Sequence, residues 1–93
     1  MNPMSIEEVL SSKGRVKILK ILADIGELNI SEIARRAGLN YATTNQHLHV
    51  LESHGLVRHK KFGRIRIFRF EEENLRAKMI KNLIEAWEQT NKP

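Results

Sequence analysis

The chain contains no cysteine. That excludes a disulfide framework, thiolate metal ligands and a cysteine nucleophile, and a reducing cytoplasm is the compartment expected. No apolar run approaches the roughly 20 residues needed to cross a bilayer, and the N-terminus carries no charged-then-apolar signal segment. The only two prolines stand at the extreme ends, and no linker, repeat or low-complexity stretch interrupts the chain. Ser-His-Asp arrangements, phosphate-binding glycine loops and HExxH are all missing, so an enzyme is not expected. What remains is 93 residues, 41% hydrophobic and 29% charged. This is an ordinary globular balance, enough for one domain over residues 1–93 with a single modest core.

The charge is not evenly spread. Residues 31–70 hold eight cations (Arg35, Arg36, Arg58, Lys60, Lys61, Arg64, Arg66, Arg69) against only Glu32 and Glu52. The other 53 residues hold eight cations and nine anions. All four histidines lie in the basic block as well. A basic block inside an otherwise neutral small domain reads as a footprint for phosphates.

Capping signals and periodicity divide the chain into eight elements. Ser5 and Glu8 form a capping box for a short helix running to about Ser11. A second helix, Lys13 to Ile25, carries Val16, Ile18, Leu19, Ile21 and Leu22 on its apolar face and stops at Gly26. Leu28 to Ile30 is short and extended. Ser31 is expected to cap a third helix, with Ile33, Ala34 and Ala37 facing inward and Gly38 as the stop. A fourth helix runs from Tyr41 to about His54. Two short helices meeting across a turn that contains glycine form a helix-turn-helix, here at about 31–54.

From Leu56 the period changes to two. Val57 to Lys61 reads as a strand, Phe62-Gly63 as the turn, and Arg64 to Phe70 as the returning strand, giving a basic hairpin at about 56–70. Apolar residues at Ile65, Ile67, Phe68 and Phe70 change parity, so either a bulge lies near Ile67 or both faces are partly covered. Glu71 to Glu73 are expected to open a last helix of about 19 residues, roughly 28 Å, over 71–89, with the acids at its positive end. Leu75, Met79, Leu83 and Trp87 repeat every four residues along it, flanked by Ile80 and Ile84.

On a helical wheel, Thr44, Leu48 and Leu51 share the inward side of the fourth helix. Ala42, Gln46, His49 and Ser53 lie opposite, with Thr43 and Asn45 on the flanks. Amides pair with adenine and small methyls meet thymine, so this face suits base reading in a major groove. Tyr41, at the first turn, either donates to a phosphate or packs its ring over the turn. Arg35 and Arg36 are placed to meet phosphates. Lys60, Lys61, Arg64 and Arg66 give the hairpin its contact with the DNA backbone, and Arg64 is the residue expected in the minor groove. Phe62 at the tip is either a wedge or, as preferred from sequence, folded back over the hairpin. The histidines do not form a metal site on one helix. His47 and His49 point about 200° apart, and His47 and His54 are separated by about 10 Å along the axis.

The stretch LNYATTNQHLHVLESHGLV, the upstream ISEIARRAG and the basic hairpin with Gly63 at its tip resemble the arsenical-repressor-like (ArsR-like) winged-helix regulators, particularly small archaeal ones. The resemblance covers about residues 10–75. It implies an α+β, mostly helical winged helix-turn-helix ordered helix-helix-strand-helix-helix-strand-strand-helix. It also implies a transcriptional regulator that binds double-stranded DNA. Metal-sensing members carry cysteines on the helix before the recognition helix, or His and carboxylate ligands on the last helix. This chain has no cysteine, and residues 71–89 contain no histidine, so no metal and no cofactor are expected.

The apolar width of the last helix points to a homodimer built by the terminal helices, through Ile6, Val9, Leu10, Leu75, Met79, Ile80, Leu83, Ile84 and Trp87. The leading reading is therefore a sequence-specific regulator of transcription acting as a homodimer. An architectural DNA-coating protein with little base preference and a protein-interaction winged helix are the alternatives.

Overall fold

The computed structural model describes residues 4–91. The chain forms α1 (Ile6–Ser11), α2 (Lys13–Ile25), β1 (Leu28–Asn29), α3 (Ile30–Ala37), α4 (Tyr41–Ser53), β2 (Val57–Phe62), β3 (Ile65–Phe70) and α5 (Leu75–Thr90). Each helix starts on a side-chain cap that satisfies an otherwise orphaned backbone N–H. Ser5 accepts from the Glu8 N–H and donates its hydroxyl to the Glu8 carboxylate. Ser12 serves α2 in the same way through the N–H of Arg15.

Three boundaries depart from the sequence reading. The cap of α3 is Asn29 rather than Ser31, its amide oxygen accepting the Glu32 N–H at 2.9 Å. Ile30 is buried, and starting the helix there draws it inward while Ser31 stays exposed in the first turn. The hairpin turn is Gly63-Arg64 rather than Phe62-Gly63, and Phe62 pairs with Ile65. Gly63 has φ 63°, the left-handed value that a two-residue hairpin of type II′ requires at its first central position. At the last helix, Glu71 to Glu73 form a turn, closed by the Asn74 N–H donating to the Glu71 carbonyl. Asn74 is the cap. The helix therefore has 16 residues, about 24 Å, and the acids precede its first turn.

The three strands form an antiparallel sheet in the order β1-β3-β2. The β2–β3 register runs unbroken from Val57↔Phe70 to Phe62↔Ile65, so there is no bulge at Ile67. The second alternative holds instead. Phe68 and Phe70 fill the core side, while Ile67, opposite Asn29 of β1, is half-buried on the other.

One core joins these parts. Ile18, Leu19 and Leu22 of α2, Ile33 of α3, Leu48 and Leu51 of α4, and Val57 and Phe68 of the sheet are all fully buried. Thr44 is the one buried polar residue among those described, and its hydroxyl donates to the Asn40 carbonyl at 2.9 Å. Among the described residues no helix is long and apolar enough to cross a membrane.

The sequence-derived dimer face is split by this packing. Val9 and Ile80 belong to the chain's own core and Ile84 is half-buried against it. The outward stripe is Leu75, Met79, Leu83 and Trp87 on α5, together with Ile6 and Leu10 on α1, all exposed.

Gly55 links α4 to the hairpin at φ 77°, and a Cβ there would lie 2.8 Å from Nδ2 of Asn74. Gly55→Ala should therefore cost about 1–2 kcal/mol for the left-handed backbone and about 1 kcal/mol more for displacing the α5 cap. Asn74→Ala added to Gly55→Ala should cost almost nothing further by urea denaturation, because the cap is already lost. Simple additivity of the two losses would contradict this account.

Candidate nucleic-acid interface

The interface is built on α4, capped by Asn40, whose amide oxygen accepts the Thr43 N–H at 2.7 Å. With Thr44, Leu48 and Leu51 buried, Ala42, Gln46, His49 and Ser53 are exposed together on the opposite face. Tyr41 stands at the helix start with half its surface exposed. From Asn40 to Phe70 the only acid is Glu52. It is engaged by His59, whose backbone N–H donates to Oε2 at 2.9 Å and whose ring Nδ1 lies 2.7 Å from the same oxygen. That contact ties the last turn of α4 to β2.

A second tie joins α4 to the other strand of the hairpin. Arg66 of β3 donates through Nη2 to Oδ1 of Asn45 at 2.7 Å. Its guanidinium also lies 5.5 Å from the centre of the Phe68 ring, within the range of a cation–π contact. Two residues read from sequence as separate DNA contacts are thus held against each other. Asn45 spends its amide oxygen on positioning the hairpin, and Arg66 keeps its charge beside α4.

The remaining cations differ in availability. Lys60, Lys61 and Arg64 surround the hairpin tip, are exposed, and enter no ion pair among the described residues. Arg35 and Arg36 on α3 are both bound to Glu32, Arg35 through two guanidinium nitrogens and Arg36 through Nε at 3.1 Å. The Arg35 hydrogen bond, followed by the charges of both arginines, holds the Glu32 carboxyl below its ordinary pKa. Arg58 and Arg69 lie further back, paired with Glu71 at 3.6 Å and Glu27 at 3.4 Å. Phe62 does not fold back over the hairpin as the sequence reading preferred. It is 62% exposed, because no element among the described residues packs over the tip on its side of the sheet.

His47 was missed as a structural device. It sits where α4 meets the start of α2, and a Cβ on Gly14 would lie 3.2 Å from its Nε2. No such close approach shows in sequence, since the two residues are 33 apart. The Nδ1 atom is buried without a partner among the described residues. Burial first, and the charge of Arg15 second, push the imidazole below its ordinary pKa. No group of three or more His, Asp or Glu side chains among the described residues is arranged to hold a metal ion.

A helix-turn-helix followed by a cationic antiparallel hairpin, on a small sheet and between terminal helices, defines a winged helix-turn-helix domain. Residues 12–59 match the family described as bacterial regulatory protein, arsR family. The chain is 31% identical over 87 residues to a cadmium resistance transcriptional regulatory protein, a CadC homolog from Staphylococcus aureus, covering 90% of this chain and 68% of that one. Reduced HlyU from Vibrio cholerae superposes with a TM-score of 0.75 at 25% identity, over 91% of this chain and 83% of the other. The homodimeric winged helix-turn-helix DNA-binding domain of a possible ArsR-family regulator from Mycobacterium bovis shares the fold, with a TM-score of 0.72 at 24% identity. It covers the whole of this chain and 94% of that one. The chain belongs to the arsR family of bacterial regulatory proteins, and it is a transcriptional regulator with a winged-helix DNA-binding domain.

A histidine whose pKa is lowered by folding binds fewer protons in the folded state. Stability should therefore fall as the pH drops below about 6.5, the ordinary value for the group. His47→Gln should flatten that part of the profile when urea midpoints are compared between pH 7.5 and pH 5, roughly one to two units around the reference value. An identical pH profile in the variant would show that His47 is not the group responsible.

Proposed function

We propose that the protein reads a specific double-stranded DNA sequence as a homodimer in the cytoplasm. In this reading α4 lies in the major groove, with Ala42, Thr43, Gln46 and His49 toward base edges and Tyr41 toward the backbone. Lys60, Lys61, Arg64 and Arg66 follow the backbone and adjoining minor groove, and Arg35 and Arg36 reach phosphates after loosening from Glu32. The observation that carries the proposal is the pairing of an acid-free polar helix face with a cationic hairpin. The Arg66–Asn45 hydrogen bond holds the two in one arrangement. No role is assigned to a metal.

The homodimer rests on the uncovered stripe of Ile6, Leu10, Leu75, Met79, Leu83 and Trp87. Contiguous exposed apolar surface of this kind marks an association site, and the Mycobacterium bovis domain of the same fold is homodimeric. A two-fold dimer places its half-sites about one helical turn, roughly 34 Å, apart. Leu83→Glu should convert the protein to a monomer at micromolar concentration in sedimentation while leaving its far-ultraviolet circular dichroism unchanged, since Leu83 contributes nothing to the buried core. Wild-type protein that sediments as a monomer would sink the dimer proposal.

The two DNA-facing elements should separate by observable. Gln46→Ala should cost about 1–3 kcal/mol per half-site on the preferred sequence and little on random DNA. Arg64→Ala should weaken both kinds of DNA to a similar degree. It should also make the slope of log affinity against log salt shallower by about 1.8 in a dimer, at about 0.9 per phosphate contact. If both substitutions act equally on both kinds of DNA, α4 is not reading sequence and the protein is architectural.

A further inference from the structure

The tip of the hairpin carries an apolar pair that the proposed phosphate contacts do not use. Phe62 and Ile65 are directly opposed across β2 and β3, flanking the Gly63-Arg64 turn. They are 62% and 53% exposed. Their parity in the strands places them on the side away from the core, opposite Lys61 and Arg66. The tip stands three residue pairs beyond His59↔Phe68, the pair that carries the buried Phe68, which is about 10 Å. Exposure of two adjacent large apolar side chains on a hairpin tip is a cost that burial elsewhere would remove.

The surrounding charge identifies what covers them. No acid occurs between Val57 and Phe70, and Lys60, Lys61 and Arg64, within the same few residues, enter no ion pair among the described residues. A surface of this kind draws a polyanion with apolar surface between its charged rims, and a DNA minor groove, walled by sugars and floored by bases, has that composition. Two strands about 4.8 Å apart, with Phe62 and Ile65 added on one side, are wider than a minor groove of about 6 Å. Entry of the pair must open the groove, and an apolar side chain that opens a minor groove partly unstacks a base step and kinks the duplex toward the major groove.

We propose that Phe62 and Ile65 form an apolar wedge that enters the minor groove beside the half-site and bends the DNA toward α4. This inference rests on the DNA-binding reading above and adds a deformation to it. Because pyrimidine–purine steps unstack most easily, the wedge also confers a preference at flanking positions that α4 does not touch.

The test uses the full chain and a duplex selected by it from random DNA, carrying a donor and an acceptor dye at its two ends. The wild type should bend this duplex by at least about 20°. Phe62→Ala with Ile65→Ala should leave the bound duplex straight while affinity falls less than tenfold and the urea midpoint is unchanged. Phe62→Leu, which keeps an apolar side chain at the tip, should retain the bend. A duplex that stays straight when wild-type protein is bound overturns the wedge and leaves the DNA-binding reading standing. A bend that persists in the double variant overturns it equally. Failure of the wild type to retain any duplex overturns both together.

Discussion

Thr44, Leu48 and Leu51 have no solvent contact, and their burial against α2 and α3 decides which side of α4 faces outward. Removing one of the two leucines from the core would cost about 2–5 kcal/mol, a large part of the stability of a domain this size. Turning the helix would expose the same surface, so α4 has one orientation. The polar face that results is fixed before any ligand arrives, and a pre-organised reading face loses little conformational freedom on binding.

The hairpin takes its position from that helix. Phe68 anchors β3 in the core, β1 pairs with its outer edge, and the backbone bond from the Glu71 N–H to the Leu56 carbonyl closes the base. Two polar ties then run from the hairpin to α4, one through His59 and Glu52 and one through Arg66 and Asn45. The first engages Glu52, the only acid from Asn40 to Phe70. The second leaves the Arg66 charge at the junction of helix and hairpin. Helix and hairpin are thereby held together, with the polar face of α4 exposed on one and Lys60, Lys61 and Arg64 exposed on the other.

Most of the fold was legible because its signals are local. The cap at Ser5, glycine stops at Gly26 and Gly38, and the change of period after Leu56 each depend on a few neighbouring residues. Two of the three boundary errors fell where a tertiary contact chose between two local options. Asn29 and Ser31 are both good caps, and the burial of Ile30 selected the first. Glu71 to Glu73 suit a helix start, but Asn74 caps α5 where Ala77 and Ile80 reach the core. The composition of the exposed α4 face was also readable, since residue type and wheel position suffice to gather Gln46, His49 and Ala42 on one side. Its couplings were not. Asn45 and Arg66 are 21 residues apart, and nothing in either neighbourhood signals that they meet. The engagement of Arg35 and Arg36 by Glu32 was within reach, because acids and arginines three and four residues apart on a helix are neighbours.

In the proposed function, α4 and the hairpin act as a single reader at two symmetric half-sites. Dimethyl sulfate interference on a duplex selected by the protein tests it most directly, since guanine N7 reports the major groove and adenine N3 the minor. The account predicts two clusters of major-groove interference about 10 base pairs apart, centre to centre, each accompanied by minor-groove interference at the position of its hairpin. Interference spread evenly along the duplex, with no preferred base in either groove, would contradict it.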